Sequence, residues 1–229
     1  MQNESNRTVH DQDDMAQLEA DVREAIMHDG DVKEAVRRLT LQSMQAHRLD
    51  IQSLGRIATA VMQGVHDGAQ QKLAQASEQS NTAQTQISHA VSGLDTAFAQ
   101  FAEASKLVVE EAAGKAMHFS REELTKTRAD LATLEDLFIE ILQQTASIAK
   151  GVIAETLNDL FTHAKHNGTT IGAQLQETLA TFTHQISSVG QAQFQAGLQL
   201  SQATADLLHK IAAGVLAGIS EQAKHEKNK

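Results

Sequence analysis

The sequence predicts an all-α fold, an elongated antiparallel bundle of three long helices preceded by shorter N-terminal helices. Three observations predict it. Ala69, Ala76, Ala83, Ala90, Ala97 and Ala104 recur every seventh residue. Leu73, Ser80, Ile87, Leu94, Phe101 and Val108 run beside them at the same period, the seam of a helix packed lengthwise on its neighbours. No proline occurs in the 229 residues, so nothing covalent interrupts a helical ladder. Finally, Leu175, Ile186, Leu208 and Ile219 fall on an 11-residue lattice with Gly197 in the missing slot, and Val189, Leu200 and Ile211 form a second line. Eleven residues make about three turns, so this stripe stays nearly straight along its helix.

Taken in order, residues 1–14 are polar, acidic and aperiodic and are expected to fray. Residues 15–68 read as a segment of short helices. Met15, Leu18, Val22 and Ile26 share one face, which stops at His28-Asp29-Gly30, where glycine is expected in the left-handed conformation after the helix end. Asp31 restarts the helix, with Glu34 completing a capping-box spacing. Val32, Val36, Leu39 and Met44 continue the apolar face to a break at Leu49-Asp50. Ile51, Leu54, Ile57, Val61, Met62 and Val65 follow, ending in a second stop signal, His66-Asp67-Gly68.

The long-helix bundle is expected to occupy residues 69–226, with 227–229 as a tail. Its first rod runs from Ala69 to about His118. Ser120-Arg-Glu-Glu123 has the spacing of a capping box and is read as the start of the second rod, although residues 117–123 are equally compatible with continuous helix. Leu124, Leu131, Leu134, Phe138, Ile141, Ile148, Val152, Leu157, Leu160 and Phe161 give the second rod its face. His166-Asn167-Gly168-Thr169-Thr170 ends it and caps the third, which runs to about Lys224. At 1.5 Å per residue the rods would be roughly 70 to 85 Å long, and short turns between them imply antiparallel neighbours.

Composition narrows the function classes. Aromatic residues are 3% of the chain, all Phe, and the apolar content of 41% is largely Ala, which suits thin interfaces between rods. The absence of Cys excludes disulfides, thiolate metal sites and cysteine nucleophiles together. Net charge is −10, and residues 1–30 alone hold eight acidic and two basic side chains, a balance that opposes binding to nucleic acid and to anionic bilayers. No secretory signal or transmembrane stretch is read, the densest apolar run being only Ile211 to Ile219, and a cytoplasmic location is expected.

Candidate chemistry is sparse. Asp159, His163 and His166 share one helical face at ligand spacing, but a metal site would need a further donor, and the last turn of a helix favours histidine anyway. Glu110-Glu111, Glu122-Glu123 and the pair His118 and Glu122 read as solvated charge, because adjacent acids on a helix diverge. Lys33, Arg37, Arg38, Arg48 and Arg56 are the basic concentration, expected to pair with the acidic residues 11–31 instead of with nucleic acid. Gly214 and Gly218 fit close helix contact within a bundle. Neither a catalytic nor a cofactor motif is found, so no enzyme activity, cofactor or metal is expected.

Two resemblances extend this reading. Leu39-Thr-Leu-Gln-Ser-Met-Gln-Ala-His-Arg-Leu49 and His166-Asn-Gly-Thr-Thr-Ile-Gly-Ala-Gln174, with most of the chain between and after them, resemble an uncharacterised family of small bacterial helical proteins. The Ala/Gln-rich, Cys-free helices from Ala69 onward are similar in composition to phasins, which coat polyester storage granules, and to apolipoprotein-like rods. That likeness implies a non-catalytic, phasin-like coat on a granule or neutral-lipid surface, with Leu175, Phe182, Ile186, Val189, Leu208, Ile211, Val215 and Ile219 as surface contacts. The alternative is an oligomeric coiled-coil scaffold that binds another protein. A third reading is a helical pore-forming protein that opens around Leu137 to Leu160. A homo-oligomer is expected in each.

Overall fold

The computed structural model describes residues 2–28, 30–46, 50–75, 80–114 and 119–192, all of them in helices or the turns between helices. Among these residues eight helices follow one another: α1 (Gln2–Met27), α2 (Val32–Ala46), α3 (Ile51–Gln75), α4 (Ser80–Gly114), α5 (Arg121–Ala132), α6 (Leu134–Ile148), α7 (Gly151–Asn167) and α8 (Thr170–Ala192).

The predicted apolar faces become the core. Leu18, Val22 and Ile26 of α1 are buried, as are Val32, Val36 and Met44 of α2 and Leu54, Ile57, Val61, Met62 and Val65 of α3. The heptad seam is equally buried: Ala83, Ala90, Ala97 and Ala104, with Ile87, Leu94 and Val108, have no exposed surface. One contiguous core runs from Leu18 of α1 to Phe182 of α8. Described residues on both sides of residue 68 bury into this same interior.

Helix boundaries depart from expectation in four places. The helix α1 reaches back to Gln2, through the stretch expected to fray. The stop signal His66-Asp67-Gly68 lies inside α3. Gly68 is there for close packing: a Cβ on it would lie 2.7 Å from the Ile26 Cβ and 3.0 Å from the Arg23 carbonyl oxygen. The first expected rod is two elements, α3 and α4, flanking residues 76–79, and Ala76 lies outside the described residues. The second rod is three, α5, α6 and α7. The longest described helix, α4 with 35 residues, spans about 52 Å, short of the expected rods.

Local chemistry accounts for the ends. Asp31 accepts from the Glu34 amide at 3.0 Å, and Asp50 accepts from the Ser53 amide at 2.8 Å, each covering an otherwise orphaned donor of a first turn. The Glu34 carboxylate also accepts from Arg37, at 2.7 and 2.6 Å. Ser120 and Glu123 make both halves of a capping box, so residues 119–121 are a true helix start. Gly30 does not take the left-handed conformation; among the described glycines only Gly151 (φ 57°) and Gly168 (φ 80°) do. Those two mark the starts of new directions, after α6 and after α7, where a side chain would be strained.

Direction is read from the contacts. Gly64 faces Val22 while Gly68 faces Ile26, so α1 and α3 run parallel. Gly93 faces Val36, and Arg37 reaches Gln100 at 2.7 Å. With Gly30 sharing a recess with Asn81, Thr85 and His89, α2 and α4 are parallel as well. Asp95 bonds residues Thr170 and Ile171, Ala102 bonds Thr178, and Glu110 bonds Thr181: α4 and α8 also run together. In contrast α5 opposes α8, since Arg128 meets Thr183 whereas Glu135, further along the chain, meets Thr169. The shared direction of α4 and α8 is what the first and third members of an up-down-up order give; the α6–α7 hairpin returns the chain to the level of Asp95, from which α8 retraces α4.

Gly68→Ala is expected to force α1 and α3 apart and to destabilise the fold by about 1–3 kcal/mol. Gly114→Ala, where an added Cβ meets nothing within 4 Å, is expected to be neutral or stabilising by up to about 1 kcal/mol. Urea midpoints of the two variants check both signs.

Candidate functional site

The sequence places its candidate contact stripe on α8 and beyond, so the seat of α8 is the site to build. Its first turn begins where Gly168 ends α7, with the Gly168 amide bonded to the Ala164 carbonyl at 2.9 Å. A helix start exposes amides without intrahelical partners, and here those of Thr170, Ile171 and Gly172 are met by side chains. Asp95 of α4 receives the Thr170 amide on one carboxylate oxygen and the Ile171 amide on the other, both at 2.9 Å. The Thr169 hydroxyl accepts from the Gly172 amide at 2.8 Å and donates to the Glu135 carboxylate of α6 at 2.6 Å. The Ala173 amide reaches the Thr169 carbonyl. Two carboxylates at this end also match the positive pole of the helix dipole. A Cβ on Gly172 would displace the Glu135 carboxylate from its present position.

Further along, the buried Thr178 hydroxyl donates to the Ala102 carbonyl at 3.3 Å and to Gln174 of its own helix at 3.0 Å. Lys106 pairs with Glu177 at 2.6 Å. That hydrogen bond, aided by the charges of Glu177, Glu110 and Glu103, raises the Lys106 pKa above its ordinary value. The pair is open to water on the Glu177 side, which is 67% exposed, so it fixes register more than it contributes stability. On the other flank Arg128 of α5 donates to the Thr183 hydroxyl at 3.0 Å.

The predicted contact residues fall into two groups. Leu175 is 4% exposed and Phe182 has no exposed surface, so both belong to the interior and not to a free surface, while Ile186 is half-buried against the core. Their spacing suits any dry environment, and the bundle supplies one. The Val189 side chain and Leu208, Ile211, Val215 and Ile219 lie outside the described residues. Sequence reasoning missed Asp95 and Glu135 as residues that hold the stripe in place. Asp95 and Glu135 are remote from α8 along the chain, and only Thr169-Thr170, read as a cap, signalled that the start of α8 mattered.

The other candidates are held in local contacts. His166 Nδ1 donates to the Thr162 carbonyl at 2.8 Å, and His163 Nδ1 lies 2.9 Å from the Asn167 amide nitrogen. Among the described residues no three His, Asp or Glu side chains converge as metal ligands. Glu123 is engaged in its cap, Glu110 accepts from Thr181, and His118 lies outside the described residues. In the basic group, Arg37 pairs with Glu34 and Gln100, not with the acidic residues 11–31 expected to neutralise it. The bidentate bond from Glu34 raises its pKa against the opposing effect of burial. Two shallow recesses of about 390 Å³ each lie beside α1 and beside the start of α4. Among the described residues no helix is long and apolar enough to cross a membrane.

Residues 8–225 match a family of unknown function, DUF6781. The chain belongs to that family. The match spans the N-terminal helices and the C-terminal stripe together. No curated protein and no solved structure matches the chain.

Because Phe182 is enclosed, Phe182→Ala is expected to cost about 3–5 kcal/mol of stability, read as a lower urea midpoint. A Phe182 displayed on a surface would instead leave the midpoint nearly unchanged.

Proposed function

We propose that this DUF6781 protein is a non-catalytic amphipathic helical protein that coats a storage-granule or neutral-lipid surface in the manner of phasins. The observation that supports this reading is the one-sidedness of α8. Ile171, Leu175, Thr178 and Phe182 are buried along one line, while Gln176, Glu177, His184 and Ser187 are exposed on the opposite side. In sequence the same apolar line continues through Leu208, Ile211, Val215 and Ile219. Such a face can exchange the interior of a bundle for an oily surface, since both remove the same apolar area from water. The net charge of −10 would keep coated particles apart and spare the protein from anionic bilayers.

The burial of Leu175 and Phe182 in the protein's own core favours a second reading, an oligomeric coiled-coil scaffold that binds a protein partner. Flotation with polyester or triglyceride particles separates the two. Wild type is expected to float, and simultaneous Leu208→Ser, Ile211→Ser, Val215→Ser and Ile219→Ser substitution, which spares the described core, is expected to lower partitioning by at least about tenfold. Wild type that stays below the particles as a defined dimer or tetramer would select the scaffold.

A further inference from the structure

We propose that the contact of α8 with α4 is a releasable latch, an autoinhibitory contact closed by Asp95, Glu135 and Thr169, whose opening swings α8 away about Gly168 while the rest of the bundle stays folded. The inference rests on the coat reading only for what the freed face then touches.

Three observations lead to it. First, the densest group of bonds to α8 lies at its first turn, and the groups that make them belong to the body: Asp95 lies on α4 and Glu135 on α6. The remaining bonds to the body are single polar contacts spaced along the helix, Thr178 to Ala102, Lys106 to Glu177, Glu110 to Thr181 and Arg128 to Thr183. Second, α8 packs mainly on α4 and α5. The approaches to neighbouring backbone at Gly64 and Gly68 against α1 and at Gly93 against α2 have no counterpart at Gly172 of α8, whose close neighbour is the carboxylate end of the flexible Glu135 side chain. Third, the connection to α7 runs through Gly168 at φ 80°, a residue free to adopt other backbone angles without a side-chain penalty, followed by Thr169 outside any helix.

Released together, these features present Ile171, Leu175 and Phe182 on one face of a freed helix. In the coat reading that face lies on the neutral-lipid or polyester surface. While the latch is closed the same residues face α4 and α5, and the protein stays in water.

Hydrogen–deuterium exchange on the full chain tests this with wild type, Asp95→Asn and Thr169→Val. The first substitution retains the shape of the carboxylate but loses its charge and one acceptor. The second removes the hydroxyl that joins Glu135 to the Gly172 amide. Both variants are expected to exchange amides 171–188 about tenfold faster, with amides 54–68 and 86–109 unchanged. Unchanged exchange in α8, or acceleration of α8 together with α3 and α4 as one unit, would overturn the latch whatever the particles show. Flotation of the same variants on triglyceride particles then addresses the occupant. Greater flotation in proportion to α8 exchange supports latch and coat together, whereas faster α8 exchange without flotation upholds the latch and removes the coat reading.

Discussion

Close approach of helix backbones at small residues is the constraint from which the architecture follows. At Gly64, Gly68 and Gly93 there is no room for even a methyl group between neighbouring helices. Such contacts gain dispersion and exclude water without large side chains. This is how a chain with 3% aromatic residues and an alanine-rich apolar fraction builds one core through α1 to α8. The helix α4 sits at the centre of the arrangement, packed on α2, α3, α7 and α8, and its buried alanines leave space for neighbours on several sides at once.

Polar bonds then choose among the ways such smooth helices could slide. Alanine faces specify position along a helix weakly, since each small residue resembles the next. Arg37, paired with Glu34 and donating to Gln100, sets α2 on α4. Lys72, buried and bonded to the Ile26 carbonyl at 3.4 Å, sets α3 on the end of α1. Asp95 and Glu135 set α8. In each case a side chain from one helix satisfies backbone or side-chain polar groups of another, and a shift of one turn would break the bond.

The fold class and the buried faces were legible in the residues, and so was the capping box at Ser120 and Glu123. Those features depend on local periodicity and on partners three or four positions apart. The placement of the contact stripe was legible only in part. Leu175, Phe182 and Ile186 were recognised as one apolar line, but periodicity states that a face is dry and does not say against what. The residues that hold α8, Asp95 and Glu135, show no local pattern that distinguishes them from other surface carboxylates. The stop signal at His66-Asp67-Gly68 misled for a related reason: a glycine needed for helix contact and a glycine that ends a helix are written alike.

The sequence alone therefore determined that this protein is helical, which faces are apolar and several of the helix starts, because hydrophobic period and end caps act within a turn or two. Tertiary structure decided that the rods are segmented, that α1 and α3 run in the same direction, and that the first part of the stripe is enclosed. Those outcomes turn on atoms far apart in the chain, such as Asp95 with the Thr170 amide and Ile26 with Gly68. Such pairings exist only once the chain has folded back on itself.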